Sequence, residues 1–147
     1  KYHHIEVGYN ARLDELQAGL LRIKLSHLSE LTKEREEIVK RYLTEIKNPL
    51  IQLPKLRKNC THVWHLFVIK VEDRDKFQKY LEENKIGTVI HYPIPPHLSE
   101  AYKYLGYKAG DYPITEDYAN TVVSLPLYNG MTKEEIEYVI KKINEYK

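Results

Sequence analysis

His62-Val63-Trp64-His65-Leu66-Phe67-Val68-Ile69-Lys70-Val71 is the stretch on which the fold class turns. β-Branched and aromatic residues fill both alternating faces of this run, the pattern of a strand covered on both sides. Upstream, residues 50–60, with Pro54, Lys55 and Lys58, read as a connector. Downstream, Asp73 can cap a short helix in which Phe77, Tyr80 and Leu81 share one face. A turn at 84–87 leads to a second short strand, Thr88–His91. Tyr92-Pro93-Ile94-Pro95-Pro96-His97 is too proline-rich for a helix or a central strand and must be an ordered loop or extended segment. Ser99 is placed to cap a short helix closed by Gly106. A brief helix near 115–120 precedes a third strand, Val122–Leu125, which Pro126 ends. Thr132-Lys133-Glu134-Glu135 is a capping box, with Ile136, Val139, Ile140 and Ile143 as the apolar face behind it.

The longest periodic signal precedes all of this. Leu13, Leu16, Leu20, Ile23, Leu28, Leu31, Ile38, Tyr42 and Ile46 recur at helical spacing, predicting a long helix kinked or broken near Ser26–Ser29. Asn48-Pro49 ends it. The order is long helix, strand, helix, strand, loops, strand, helix. This predicts an α+β fold: a small, mainly antiparallel sheet with helices on one face.

Composition narrows the function. The chain of 147 residues is long enough for one domain, and its 23 Lys and Arg nearly balance 21 Asp and Glu. A net charge of +2 is too even to mark a nucleic-acid binder. The lone Cys60 forms no internal disulfide and belongs to no Cys-x-x-Cys pair, so a reducing, cytoplasmic compartment is expected. No apolar run reaches the roughly 18 residues of a membrane span, so no membrane partner is expected. The first residue is Lys rather than Met, as in a piece of a longer chain or a processed one.

Seven histidines raise the question of a metal, but their spacings argue against one. Adjacent His3 and His4 diverge if extended, and His62 and His65 differ by an odd step along the expected strand. There is also no Gly-rich phosphate loop, no Gly-x-Ser-x-Gly elbow and no recognisable Cys–His nucleophile motif.

Two segments can carry chemistry. In Gly8-Tyr9-Asn10-Ala11-Arg12, Asn10 can cap the long helix while Gly8 relaxes the turn. Alternatively, the Asn10 amide and the Arg12 guanidinium at a helix N-terminus can bind an anion. In the proline-rich loop, rigid backbone holds His91, Tyr92 and His97 at a strand end. That suits either a surface connector or contact with a polyhydroxylated ligand.

Gly8-Tyr9-Asn10-Ala11-Arg12-Leu13-Asp14-Glu15-Leu16-Gln17-Ala18, His91-Tyr92-Pro93-Ile94-Pro95-Pro96-His97 and Ser124-Leu125-Pro126-Leu127-Tyr128 occur in this order, followed by Met131-Thr132-Lys133-Glu134-Glu135. Together they resemble the DegT/DnrJ/EryC1/StrS sugar aminotransferases, pyridoxal-phosphate enzymes of the aspartate-aminotransferase fold (fold type I). The resemblance implies that the chain is the C-terminal small domain of that fold. Residues 1–49 would link to a large domain, and residues 50–147 would form the α+β unit. It implies amino transfer, usually from glutamate, to a keto sugar linked to a nucleotide, in aminosugar, polysaccharide or antibiotic biosynthesis. The enzyme would be a homodimer with its sites at the subunit interface.

By motif match, Asn10 would donate to the phosphate of pyridoxal 5'-phosphate in the neighbouring subunit. Arg12, His91 and Tyr92 would contact the sugar nucleotide, with His97 and Tyr104 joining the pocket wall. No lysine here matches the family's Schiff-base motif, so no catalytic residue is assigned and the chain alone should not transaminate. The rival expectation is a non-catalytic regulatory or dimerisation module sharing the fold. As an isolated piece, the chain should expose an apolar surface to which Tyr2, Tyr9, Tyr92 and Trp64 contribute.

Overall fold

Helix formation begins at Asp14, where a carboxylate stands three residues before a backbone donor. Its side chain accepts from the Gln17 N–H at 2.7 Å and caps α1, Glu15–Ser26. The residue that caps α1 is therefore Asp14. In the computed structural model the described residues are 5–8 and 14–147, so Asn10 and Arg12 lie outside them. The expected break in the long helix falls at His27, and α2 runs from Leu28 to Glu45. α1 has no buried residue, whereas α2 buries Ile38, Val39 and Tyr42.

The sheet is antiparallel and smaller than its sequence pattern predicts. β1, Phe67–Lys70, pairs with β2, Val122–Leu125, with Phe67 opposite Leu125 and Lys70 opposite Val122. Single bridges extend it on each side, Gln52 to Lys70 and Val89 to Ser124. The expected strand from His62 is shortened because Trp64 adopts a left-handed backbone, φ 49°. No ladder continues through that conformation. Its N–H donates to His62 Nδ1 at 2.8 Å. Trp64 is buried at 7% exposure, so it belongs to the core and not to an exposed apolar surface. The expected strand 88–91 shrinks to its Val89 bridge, since Gly87 and Pro93 leave too little chain for a longer ladder.

Phe67 and Ile69 from β1 and Val123 and Leu125 from β2 share one face of the sheet. Onto that face pack Ile38, Val39 and Tyr42 of α2, and Phe77 and Leu81 of α3 (Arg74–Glu83). The inner face of α5 (Lys133–Glu145), with Ile136, Val139, Ile140 and Ile143, completes the core. The α+β layering thus follows from two periodicities meeting: alternate strand residues against helical i, i+3, i+4 stripes. α5 opens on the expected capping box, with Thr132 Oγ1 accepting from Glu135 N–H and Glu135 accepting from Thr132 N–H.

Ser99 departs from expectation. Glu100–Leu105 is a 3₁₀ helix whose first turn starts on the Ser99 carbonyl, which accepts from Tyr102 N–H at 3.0 Å. The Ser99 hydroxyl makes no cap and turns inward, buried without a hydrogen-bond partner among the described residues. Gly106 closes the turn at φ 75°, where a β-carbon would be strained. α4, Pro113–Thr121, then leads directly into β2.

Hydrogen bonds hold several carboxyls below the ordinary glutamate value. The Asn129 amide does so for Glu34, the Arg41 guanidinium for Glu45 and the Thr132 N–H for Glu135. The Lys142 ammonium acts likewise on Glu145. A folded-state pKa below the unfolded one stabilises fully above the unfolded value, about 4.3, and loses that contribution as pH falls through the folded value. Thermal stability is therefore expected to hold flat above about pH 5 and to fall steeply below about pH 4. Melting curves by circular dichroism across this range check it, and a stability maximum in acid would contradict it.

Candidate functional site

Beyond the core, the second face of the sheet opens into a cleft of about 1440 Å³. Val68, Lys70 and Val122 project onto it by strand alternation, and the α4 residues Ile114, Thr115 and Tyr118 wall its far side. Such a space exceeds the 300–1,000 Å³ or so of pockets for drug-sized ligands, so a large ligand fits it. Lys70 is tied to this wall by an ion pair with Asp117 and lies over the Tyr118 ring, 5.9 Å from its centroid. Arg74 pins the end of α4 through the Ala119 carbonyl.

His91 and Tyr92 line this cleft. Their rings meet edge to face at 5.3 Å, and the peptide between them is cis. His91 Nδ1 lies 2.9 Å from Ser124 Oγ in β2, so the strand end orients the ring as the proline-rich loop predicts. Tyr92 is 59% exposed. Glu6, Val7 and Gly8 line the same cleft as the His91-Tyr92 pair. Gly8 has open space around it and an ordinary φ, so no turn there demands glycine. Tyr2 and Tyr9 lie outside the described residues.

His97 and Tyr104 do not line the cleft. The His97 ring is buried beneath Tyr112 and meets Glu116 Oε1 at 3.0 Å. Glu116 also accepts from the backbone N–H groups of Gly110 and Tyr112. The Gly110 N–H above all, with His97, holds its carboxyl below the usual range. This pair fastens the proline-rich loop to α4 and to the loop before it, a structural task. Tyr104 is 75% exposed, because the 3₁₀ helix carries it away from the cleft.

Of the other described histidines, His62 bonds the Trp64 backbone and His27 pairs with Glu30. No cluster of three potential metal ligands exists among the described residues. No described helix is long and apolar enough to cross a membrane. Two residues that shape the site escape sequence reasoning: Ser124, which holds His91, and Glu116, which holds the loops. Ser124 does leave a signal, being the one polar residue in an otherwise apolar, fully buried strand.

Chemically, the cleft combines tyrosine faces (Tyr92, Tyr102, Tyr118) with an imidazole and two lysines, Lys55 and Lys70. Glu6 is the one carboxylate among its described lining residues. This donor set suits a ligand with rings to stack and hydroxyl, keto or phosphate oxygens to bind.

Comparison with known proteins gives the class. The profile of the DegT/DnrJ/EryC1/StrS aminotransferase family matches residues 1–144, and the chain belongs to that family. It is 48% identical over 146 residues to the dTDP-3-amino-3,6-dideoxy-alpha-D-galactopyranose transaminase of Aneurinibacillus thermoaerophilus, covering 99% of this chain and 40% of the relative. Among solved structures it resembles S. venezuelae DesV in complex with a ketimine intermediate, at a TM-score of 0.88 and 38% identity, covering 99% of this chain and 39% of the other. It also resembles NtdA from Bacillus subtilis with bound cofactor PMP, at 0.77 and 33%, covering 92% and 33%. The chain thus spans about 40% of the length of the relatives it matches, and its α+β fold is that of the corresponding part of these aminotransferases.

Proposed function

We propose that this chain is the C-terminal part of a pyridoxal-phosphate-dependent aminotransferase. The enzyme transfers an amino group, usually from glutamate, to a keto sugar linked to a nucleotide, in aminosugar, polysaccharide or antibiotic biosynthesis. It works as a cytoplasmic homodimer with its sites at the subunit interface. Residues 1–49 link the α+β unit 50–147 to a large domain that supplies the Schiff-base lysine, with α2 anchored in the core.

One observation carries the reading: the Gly8 end of the signature segment and the His91-Tyr92 pair border the same tyrosine-walled cleft. A second supports the interface. Leu16, Leu20, Leu21, Ile23 and Leu25 on α1 are all more than half exposed. A helix so apolar and so bare is covered in its working assembly.

Within the site the residues divide their tasks. Asn10 offers amide N–H groups to the cofactor phosphate of the neighbouring subunit, and Arg12 offers a planar fork to the diphosphate or nearby sugar. His91 and Tyr92 hold sugar oxygens by hydrogen bonds, and the tyrosine faces offer surfaces for rings to stack on. When bound, the cofactor supplies the electron sink for the carbanion, while the protein supplies orientation and charge complementarity.

The test compares the 147-residue chain with its full-length parent. The parent is expected to retain cofactor absorbance through gel filtration and to convert dTDP-3-amino-3,6-dideoxy-α-D-galactopyranose with 2-oxoglutarate. The chain alone is expected to do neither. A parent that retains no cofactor would refute the assignment.

A further inference from the structure

We propose that Ser124 is the positioning residue of this site: it fixes His91 as the neutral Nε2–H tautomer, so that the imidazole serves the cleft as a hydrogen-bond donor to an oxygen of the sugar nucleotide. The inference rests on the cleft being the sugar-nucleotide site and adds to it the polarity of the His91 contact.

Ser124 grips the His91 segment twice. Its N–H donates to the Val89 carbonyl at 2.8 Å and its carbonyl accepts from Val89 N–H at 3.4 Å, which sets the backbone two residues before His91. Its Oγ then meets His91 Nδ1 at 2.9 Å. Ser124 is 5% exposed, and the His91 ring is the one partner of its hydroxyl among the described residues. That isolation decides the direction of the bond. If Nδ1 carried the proton, the hydroxyl would accept and its own proton would be left buried without an acceptor, which proteins avoid. If the hydroxyl donates, its proton is satisfied and Nδ1 is the acceptor. A neutral imidazole that accepts at Nδ1 carries its hydrogen on Nε2. The group His91 recognises is therefore an acceptor oxygen, on the sugar or on the diphosphate.

Two measurements test this. In long-range 15N–1H NMR of histidine-labelled protein, His91 is expected to show an unprotonated Nδ1 and a protonated Nε2, and Ser124→Ala to give a mixture of tautomers. A protonated Nδ1 in the unsubstituted protein overturns the proposal. In the full-length enzyme, assayed with dTDP-3-amino-3,6-dideoxy-α-D-galactopyranose and 2-oxoglutarate, Ser124→Ala is expected to raise KM roughly tenfold with kcat little changed. Ser124→Thr, which keeps the hydroxyl, should restore KM. Adding Ser124→Ala to His91→Ala should change nothing further, since both remove one interaction.

Inhibition by dTDP alone locates the oxygen. A weakened inhibition constant in Ser124→Ala assigns the contact to the diphosphate, and an unchanged one assigns it to the sugar. If His91→Ala raises KM and Ser124→Ala does not, this inference fails while the proposed function stands. If His91→Ala itself leaves KM unchanged, the contact assigned to His91 in the proposed function fails first.

Discussion

Replacing Phe67 by Ala is expected to destabilise the fold by about 3–5 kcal/mol, the range for truncating a fully buried aromatic residue. Phe67 is 0% exposed, and its ring packs 5.1 Å from Tyr42 and 5.8 Å from Trp64, centroid to centroid. It therefore joins α2, the Trp64 turn and the sheet at one point. Loss of the ring leaves a cavity between three elements that are each fixed by other contacts, so the site cannot collapse to fill it. Domains of this kind hold about 5–15 kcal/mol in all. The change should thus remove a large share and lower Tm by roughly 10–15 °C. Leu20→Ala is the control: Leu20 is 59% exposed on α1, and its truncation should stay within about 0.5 kcal/mol. Equal losses in the two variants would show that the core does not lie where the buried cluster places it.

Arg35→Met is expected to destabilise by about 3 kcal/mol, although the replacement is apolar and of similar length. The Arg35 guanidinium ties α2 to two separate turns. Nε donates to Asn129 Oδ1 at 3.0 Å, and Nη1 donates to the carbonyls of Trp64 at 3.1 Å and Leu127 at 3.2 Å. Asn129 in turn donates to the Leu31 carbonyl and to Glu34. Methionine fills the space and satisfies none of these acceptors. Lysine should rescue little, because one ammonium cannot reproduce the fork. The Trp64 backbone, held in a left-handed conformation that a bulky residue adopts at a cost, is the first part expected to relax. Trp64 is the only tryptophan in the chain, so its fluorescence reports this turn directly. A red-shifted emission together with the lowered Tm is the expected pair of results. An unshifted spectrum at full stability would mean that Arg35 is a surface side chain.

These two residues also show where the sequence is legible and where it is not. Apolar periodicity is a local property, so the stripes of α3 and α5, the face of α2 and the span of β2 could be read from spacing alone. The capping box at Thr132 was equally plain, because both its bonds lie within four residues. What periodicity could not show is a single backbone inversion: nothing in Val63-Trp64-His65 announces that Trp64 turns left-handed and ends the strand early. Long-range polar contacts were opaque for the same reason. Lys33, Glu34, Arg35, Glu36, Glu37 and Lys40 form a mixed-charge run of the kind that usually marks a solvated face, yet the partners of Arg35 stand 29 to 94 residues away. His91 and Tyr92, which line the cleft, are marked in the sequence by rigid prolines and the family motif. His97 shares those prolines but is spent on Glu116, which only the packing of α4 reveals. Asn10 and Arg12 rest on the motif alone.

The central claim is that this chain lends groups across a subunit interface to a cofactor pocket whose reactive amine lies elsewhere. Subunit complementation tests it most directly. A full-length parent carrying Asn10→Ala and His91→Ala is unfolded and refolded together with a parent whose Schiff-base lysine is replaced, and the mixture is assayed at limiting cofactor and substrate, where each variant kept apart shows little activity. If the groups act in trans, a mixed two-fold dimer combines both defects in one site and leaves the other intact, so random reassortment should restore about a quarter of normal activity. If mixing yields no activity above that of the two variants kept apart, Asn10 and His91 do not serve the neighbouring subunit, and the account is contradicted.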